Sequence, residues 1–240
     1  MGEPLDLEVR SHHLHAFRLG DPSAPLVIGV HGLTGTLHQL DHLGRAIEGH
    51  GLQLVAVDLR ARGQSAPTGP GTYGWENHAL DVLAVATSLG FDRFAIVGLS
   101  MGASVAMKAA ELAVDRLDAV VLLDVAGRVD PGVGPVIESI IGGLDHGADQ
   151  DAVAEDRRYT LTQDPYARWQ HLTMPTLLVR ATRELAPGAG YVVPADDRDR
   201  FGREVPQSQI AEVDADHRSI ADHPDTASAV VDFLAATLPT

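Results

Sequence analysis

The sequence contains no cysteine, and Lys108 is the only lysine among its 18 basic residues. The absence of cysteine excludes disulfides, thiolate metal sites and a cysteine nucleophile. No apolar run reaches the roughly 18 residues that a membrane-spanning helix requires. The 33 acids give a net charge of −15, which argues against nucleic acids and anionic membranes as partners, because phosphate-rich surfaces select basic residues. We therefore expect a small molecule as the partner.

The length of 240 residues is sufficient for one large domain with a continuous core, so a single domain over residues 1–240 is expected. The first ten residues mix acids with a base and contain no apolar block, which is not the pattern of a secretory signal. A cytoplasmic location follows as the default expectation.

Six short runs rich in Val, Leu and Ile lack polar alternation, which is typical of parallel strands buried on both faces. An alternating pair at residues 5–9 and 13–19 predicts an antiparallel hairpin at a sheet edge. Helical apolar spacing fills the gaps, so the chain predicts βαβ units and a mostly parallel eight-stranded α/β sheet flanked by helices. The six runs are 26–30, 52–57, 94–97, 119–123, 176–179 and 209–213, and the helices are 37–48, 75–89, 100–114 and 221–237.

A long excursion separates the fourth and fifth of these runs, and it contains a predicted short helix near 136–142 and a polar segment at 148–170. Because idle loops of this length are uncommon, we expect an insertion at about 127–173 that forms a small helical lid over the carboxyl ends of the strands. Arg158, Tyr159 and Trp169 are its candidate substrate-binding residues, since arginine beside aromatic rings suits carboxylates and planar acyl groups. A disordered insertion and a merely solvated helix face are the alternatives.

The sequence Gly98-Leu99-Ser100-Met101-Gly102 lies between a predicted strand and an alanine-rich predicted helix. This G-x-S-x-G pattern is a nucleophile elbow only in that context, because a sharp strand-to-helix turn exposes the serine hydroxyl. The helix start also directs free N–H groups and a positive dipole end towards a developing oxyanion. Ser100 is therefore the candidate nucleophile.

Three further motifs accompany the elbow: His31-Gly32-Leu33-Thr34-Gly35, Asp58-Leu59-Arg60-Ala61-Arg62-Gly63-Gln64-Ser65 and the late Asp214-Ala215-Asp216-His217. In this order they resemble the α/β-hydrolase fold superfamily over roughly residues 20–240. The resemblance implies that the N–H groups of Leu33 and Met101 form an oxyanion hole and that His217 is the base. His31 and the loop after Asp58 are interpreted as structural, with Ala61 where glycine is usual. The lid, Gly102-Ala103 and Asp124 resemble, more weakly, the hydrolases of 2-(acetamidomethylene)succinate.

The acid that orients His217 has two candidates. Most of the superfamily carries it after the strand that follows the lid, where this sequence has Glu184; some members carry it one strand earlier, where Asp124 stands. We favour Asp124 and keep Glu184 as the alternative. Among the remaining polar residues, His78 is expected on a helix surface and Asp197 in an exposed first helical turn.

These parts predict a serine hydrolase that cleaves a small carboxylic ester, or a lactone or amide, through an acyl-enzyme. No cofactor and no metal are expected. The alternatives are hydrolysis of a C–C bond or cofactor-free oxygenase or lyase chemistry on the same scaffold, and a ligand-binding protein without catalysis. Ser100 argues against haloalkane and epoxide hydrolysis, which use aspartate as the nucleophile in this superfamily.

Overall fold

Eight strands form a single sheet in the spatial order β1-β2-β4-β3-β5-β6-β7-β8. The computed structural model describes residues 2–143 and 150–238. Strands β3 to β8 pair in parallel, and β1 and β2 are antiparallel to their neighbours. The mostly parallel eight-stranded α/β sheet predicted from the sequence is therefore confirmed. The strands are β1 (Glu3–Val9), β2 (His12–Leu19), β3 (Leu26–Val30), β4 (Gln53–Val57), β5 (Phe94–Leu99), β6 (Leu117–Leu123), β7 (Thr176–Ala181) and β8 (Ser208–Val213).

The N-terminal hairpin lies at one edge of the sheet, where the alternating pattern predicts it. Strand β1 pairs with β2 alone, in a register that runs from Glu3 opposite Arg18 to Val9 opposite His12. The two turn residues, Arg10 and Ser11, both have positive φ angles, of 48° and 66°. Two-residue turns with this handedness match the right-handed twist of the strands they join.

Helices cover both faces of the sheet. Alternate side chains of the buried strands point to opposite faces: Val27 belongs to the apolar cluster on one face, and Ile28 belongs to the cluster on the other. Each face buries its own apolar cluster, which is the layered solution expected for α/β folds. In the described ranges the helices are α1 (Asp41–Glu48), α2 (Trp75–Ser88), α3 (Met101–Ala113), α4 (Val133–Gly142), α5 (Gln150–Thr162), α6 (Ala195–Glu204) and α7 (Pro224–Thr237). None of them has the length and hydropathy needed to cross a bilayer.

The insertion between β6 and β7 carries α4 and α5, and residues 144–149 within it lie outside the described ranges. Helix α5 is joined to the sheet domain by a buried cluster. Asp156 accepts hydrogen bonds from Arg62 Nη2 at 2.6 Å and from the Gly74 N–H at 2.6 Å, and its two oxygens lie 3.0 Å from His78 Nε2. Burial alone would raise the pKa of Asp156, but His78 and Arg62 outweigh it and lower the pKa.

This cluster corrects the expectation that His78 lies on a helix surface. His78 is completely buried, as are Arg62 and Asp156. Its hydrogen-bond partner comes from a helix in the insertion, far away in sequence, so the local pattern of α2 could not indicate it.

Candidate active site

Ser100 occupies the sharp turn between β5 and α3. Its backbone has φ 55° and ψ −120°, a region that non-glycine residues seldom adopt. Glycine is required on both sides: a Cβ on Gly98 would lie 2.1 Å from the Gly102 carbonyl oxygen, and one on Gly102 would lie 2.2 Å from the Val30 carbonyl oxygen. The nucleophile elbow predicted from the sequence thus has the strand, the turn and the helix that the motif needs.

The closeness of α3 to β3 predicts a large cost for Gly102→Ala. Because the clashing atom is backbone, relief requires the helix and strand to separate, and we expect a loss of at least about 3 kcal/mol in the free energy of unfolding. Gly142→Ala is the matched control, since a Cβ there meets no heavy atom within 4 Å. Urea unfolding followed by circular dichroism measures both changes. Equal midpoints for the two variants would contradict the close packing of the elbow.

His217 lies in the loop after β8 and bridges Ser100 and Asp124. Its Nε2 is 2.9 Å from Ser100 Oγ, and its Nδ1 is 2.9 Å from Asp124 Oδ2. A carboxylate at Nδ1 favours the tautomer with hydrogen on that atom, which leaves Nε2 as a hydrogen-bond acceptor facing Ser100 Oγ. Asp124 is almost fully buried and the His217 side chain largely so, at 1% and 13% exposure, so water competes little with these hydrogen bonds.

Asp124 is held firmly at the end of β6. Its N–H donates to the Val179 carbonyl at 2.8 Å, and its Oδ1 accepts the Ala181 N–H at 2.8 Å, which leaves Oδ2 for His217. Its φ of 51° is again in the left-handed region, where aspartate is tolerated better than most residues. Glu184, the alternative acid, is exposed and bonds the Gly188 N–H of its own loop. The structure therefore brings Asp124, and not Glu184, to His217.

The backbone donors of the predicted oxyanion hole flank Ser100. Leu33 follows β3, and its N–H donates no hydrogen bond to any residue that the structure describes. Met101 is the first residue of α3, so its N–H has no intrahelical acceptor. The loop of Leu33 lies against Ser100, since a Cβ on Gly32 would stand 3.3 Å from Ser100 Cβ. Two unpaired N–H groups beside a serine hydroxyl are suited to bind a developing oxyanion.

His31 supports the loop that carries Leu33. Its Nδ1 is 2.7 Å from the Gly32 carbonyl oxygen, and its Nε2 accepts the Leu59 N–H at 3.0 Å. Burial, the dominant cause, lowers the pKa of His31 to about 3. The ring is therefore neutral at physiological pH, and it serves the structure as interpreted from the sequence.

The loop after Asp58 also has a structural role, because Asp58 holds backbone N–H groups in place. Asp58 accepts the Leu37 N–H through Oδ1 at 2.8 Å and the Gln64 N–H through Oδ2 at 3.0 Å. Ala61, which replaces the usual glycine, has φ 57°. This positive φ explains why related loops favour glycine there, since glycine has no Cβ to strain the backbone.

A cavity of about 630 Å³ opens above these residues, at the carboxyl ends of the central strands. Its volume is within the usual range for small-molecule sites. Ser100, His217, Leu33 and Met101 line it, together with apolar side chains that include three of the insertion: Ile137, Ile140 and Leu161. The insertion therefore forms part of the cavity wall.

The structure places none of the three candidate substrate-binding residues of the insertion on the cavity wall, which corrects that prediction. Arg158 is exposed. Tyr159 packs edge-on against Trp75 at 5.6 Å between ring centroids. Trp169 is buried and donates from Nε1 to the Ala126 carbonyl at 2.8 Å. These aromatic rings fill the space beneath the insertion and thus have a packing role.

Arginines from other positions line the cavity instead. They are Arg128, Arg157 and Arg218. None of them is among the candidate residues predicted from the sequence, although a signal existed for two: Arg218 directly follows His217, and Arg128 lies in the loop that follows Asp124. Residues adjacent to catalytic candidates at strand ends share the same edge of the sheet.

Asp197 also differs from expectation. It is buried rather than exposed, and its Oδ2 accepts the Arg128 N–H at 2.6 Å. The Tyr166 hydroxyl donates to Asp197 Oδ1 at 2.9 Å, and burial followed by this contact raises the pKa of Tyr166. Asp197 therefore fixes the backbone of the loop that carries Arg128.

The strand order, the serine at a strand-to-helix turn and the histidine after the last strand define a protein of the α/β-hydrolase class. The family profile described as "alpha/beta hydrolase fold" matches residues 25–228. The chain belongs to the α/β-hydrolase fold family, as the sequence motifs predicted.

Curated relatives match over part of their length. A putative esterase/lipase of Haemophilus influenzae is 30% identical over 112 residues, which are 47% of this chain and 38% of that protein. The N-formylmaleamate deformylase of Pseudomonas putida is 32% identical over 116 residues, 48% of this chain and 41% of that protein. The matched regions thus span less than half of these relatives.

Solved structures share the fold across nearly the whole chain. The enol-lactonase of Burkholderia xenovorans superimposes with a TM-score of 0.80 at 21% identity, covering 96% of this chain and 99% of that one. The N-formylmaleamic acid deformylase of Pseudomonas putida S16 gives a TM-score of 0.78 at 20% identity, covering 95% and 99%. At these identities the likeness concerns the fold alone.

Proposed function

We propose that this chain is a serine hydrolase that cleaves a small-molecule carboxylic ester, lactone or amide through an acyl-enzyme. The observation that carries the proposal is the continuous hydrogen-bond chain from Ser100 Oγ through His217 to Asp124, with both links at 2.9 Å. A serine hydroxyl is a weak nucleophile alone, and an oriented histidine base is what activates it.

In the acylation step His217 Nε2 takes the Ser100 proton while Oγ attacks the substrate carbonyl carbon. Asp124 stabilises the imidazolium that forms, without itself taking the proton. The Leu33 and Met101 N–H groups receive the oxyanion of the tetrahedral intermediate. His217 then returns the proton to the leaving group, and the carbonyl re-forms as the acyl-enzyme.

Deacylation repeats these roles with water. His217 removes a proton from the water molecule that attacks the acyl-enzyme, and it returns that proton to Ser100 Oγ as the acid leaves. The enzyme regains its starting state, and the sum is hydrolysis of one ester bond. No step requires a cofactor or metal.

The bond type is supported by the relatives taken together. They include an esterase/lipase, a deformylase and an enol-lactonase, names that all imply attack of a nucleophile on a carbonyl carbon. An epoxide hydrolase is also among them, at 30% identity over 128 residues. Ser100 favours the carbonyl reactions, because an alkyl-enzyme ester would need a carboxylate nucleophile.

We further propose that residues 1–240 act as one domain and that the insertion at about 127–173 acts as its lid. Two observations support the lid: α4 and α5 contribute apolar side chains to the cavity wall, and the Asp156 cluster fixes α5 to the body. A wall of this kind excludes water from the reacting bond, which strengthens the electrostatic stabilisation of the oxyanion.

Covalent labelling tests the proposal. A fluorophosphonate probe is expected to modify the peptide that carries Ser100, because the probe reacts with a base-activated serine. We expect His217→Gln to slow the labelling by at least about 10²-fold, since general-base assistance is lost. His38→Gln serves as the matched control, because His38 is exposed and does not line the cavity.

Mass spectrometry locates the label and gives its rate of formation. Labelling at another serine, or equal rates for the His217 and His38 variants, would refute the assignment. Absence of labelling together with tight ligand binding would favour the alternative of a non-catalytic binding protein.

A further inference from the structure

The charge of the cavity wall is opposite in sign to that of the whole chain. The sequence has 33 acids against 18 basic residues. The wall, over the described residues, has three arginines, Arg128, Arg157 and Arg218, and a single carboxylate, Asp130. In a strongly acidic protein this reversal marks the wall as a place where a negative group is favoured.

Among the described residues, two of the three arginines form no direct ion pair, although Asp216 lies close enough to Arg218 for their charges to attract. Arg157 donates from Nε to Glu138 Oε1 at 2.7 Å, so its charge is compensated. Arg128 and Arg218 form no ion pair with any residue in ranges 2–143 and 150–238. The Arg128 guanidinium lies 5.6 Å from the centre of the Tyr166 ring, and Arg218 Nη2 has a long bond of 3.4 Å to the Leu185 carbonyl. A guanidinium carries five N–H donors, so most of theirs are available to a ligand.

Asp130 forms no ion pair with these arginines, and its carboxylate is held by another loop. Its Oδ2 accepts the Tyr191 N–H at 2.8 Å. A Cβ on Gly190 would lie 2.5 Å from the same oxygen, so the carboxylate is packed against the loop of residues 190–191. Arg128 and Arg218 therefore remain the arginines of the wall that no carboxylate contacts directly.

We propose that Arg128 and Arg218 bind a carboxylate of the substrate, so that the preferred substrate is the ester or amide of an acid with a second, free carboxylate group. The inference rests on the proposed function, since it names the substrate class of the same site. The planar fork of arginine matches a carboxylate better than a lysine ammonium does.

Both residues are well placed for this role. Arg218 directly follows the base His217, and Arg128 is in the loop after Asp124, whose backbone Asp197 fixes. Ile137 and Ile140 on the insertion supply apolar contact for the carbon chain between the two carboxyl groups. The arginines also offset the repulsion that a chain of net charge −15 exerts on an incoming anion.

A pair of esters tests the proposal: monomethyl adipate and methyl hexanoate have acyl chains of equal length and differ by a terminal carboxylate. The quantity measured is the ratio of kcat/KM for the charged ester to that for the neutral ester, by titration of released acid. In the wild type we expect a ratio above one. Arg128→Gln and Arg218→Gln are each expected to lower it roughly tenfold, and the double variant about a hundredfold.

Three further measurements separate binding from a structural effect. Arg203→Gln is the matched control, because Arg203 is an exposed arginine that does not line the cavity, and its ratio is expected to equal the wild type's. Arg218→Lys is expected to recover part of the loss because it keeps the charge. Raising the salt to about 1 M is expected to lower the wild-type ratio and to leave the ratio of the double variant unchanged.

The outcomes are distinguishable. If the wild type hydrolyses both esters and the double variant keeps the wild-type ratio, the carboxylate site is refuted and the proposed function stands. If the wild type hydrolyses neither these esters nor p-nitrophenyl butyrate, the proposed function fails and the substrate assignment fails with it.

Discussion

Ser100→Ala is expected to lower kcat for p-nitrophenyl acetate and butyrate by about 10³- to 10⁶-fold. The size of the effect follows from the loss of the acyl-enzyme route: without Oγ, only the backbone donors and the binding cavity still assist attack by water. Since the alanine keeps the backbone of the elbow and removes one oxygen atom, the fold is expected to be retained. Circular dichroism and the urea midpoint check that retention.

The control for this experiment is Ser104→Ala. Ser104 lies one turn further along α3 and lines the same cavity. Its exchange for alanine also removes a single oxygen atom. The kcat of Ser104→Ala is expected to stay within about tenfold of that of the wild type, because Ser104 has no contact with His217 that would activate its hydroxyl. Equal kcat for wild type and Ser100→Ala would refute the serine mechanism. Negligible esterase activity with Ser100-dependent cleavage of a diketone would favour the C–C hydrolase alternative.

The strands could be predicted from the sequence because burial on both faces leaves a strong local signal. The run at 26–30 coincides with β3, whereas β5 and β7 each extend two residues beyond their predicted ends at 97 and 179. Gly98 and Arg180 interrupt the apolar runs, so the predicted strands end too early. Gly98 pairs with Leu122 within the sheet and must be glycine because α3 approaches it closely. Arg180 is buried with its Nη1 2.9 Å from Glu212 Oε1.

The errors concern residues whose environment is set by distant segments. His78 is buried because Asp156 reaches it from the insertion, and Asp197 is buried because Tyr166 and Arg128 cover it. Trp169 is in the core because Phe201 of α6 packs against it at 5.2 Å. A window of neighbouring residues contains none of these partners, so the sequence favoured exposed positions for His78 and Asp197 and a substrate-binding role for Trp169.

The candidate site also contains residues with a local sequence signal and residues whose role depends on distant segments. Ser100 could be found because its motif, strand and helix are contiguous, and His217 because it follows the last strand. The choice between Asp124 and Glu184 depends on how the ends of β6 and β7 approach the histidine, and that distance is a property of the assembled sheet. The arginines of the cavity wall were missed because Arg128 and Arg218 lie in loops at the ends of β6 and β8, away along the chain from the aromatic residues of the insertion that drew attention in the sequence.

The two candidate acids give the second large prediction: Asp124→Asn is expected to lower kcat about 10⁴-fold. The asparagine amide can donate to His217 Nδ1, which favours the tautomer with hydrogen on Nε2 and so removes the acceptor for the Ser100 proton. The substitution is otherwise mild. Asparagine tolerates the φ of 51°, and its carbonyl oxygen can still accept the Ala181 N–H.

Glu184→Gln is the matched control, with the same exchange of a carboxylate for an amide. Its side chain is exposed and bonds the Gly188 N–H, which a glutamine oxygen can also accept, so kcat is expected to stay within about twofold of the wild type. Steady-state kinetics with p-nitrophenyl butyrate measures both variants, and thermal unfolding verifies that both are folded. A near-normal Asp124→Asn together with a Glu184→Gln that loses orders of magnitude would transfer the role of the acid to the strand after the insertion. Because the two side chains follow adjacent parallel strands, β6 and β7, this comparison decides which strand end of the sheet orients the base.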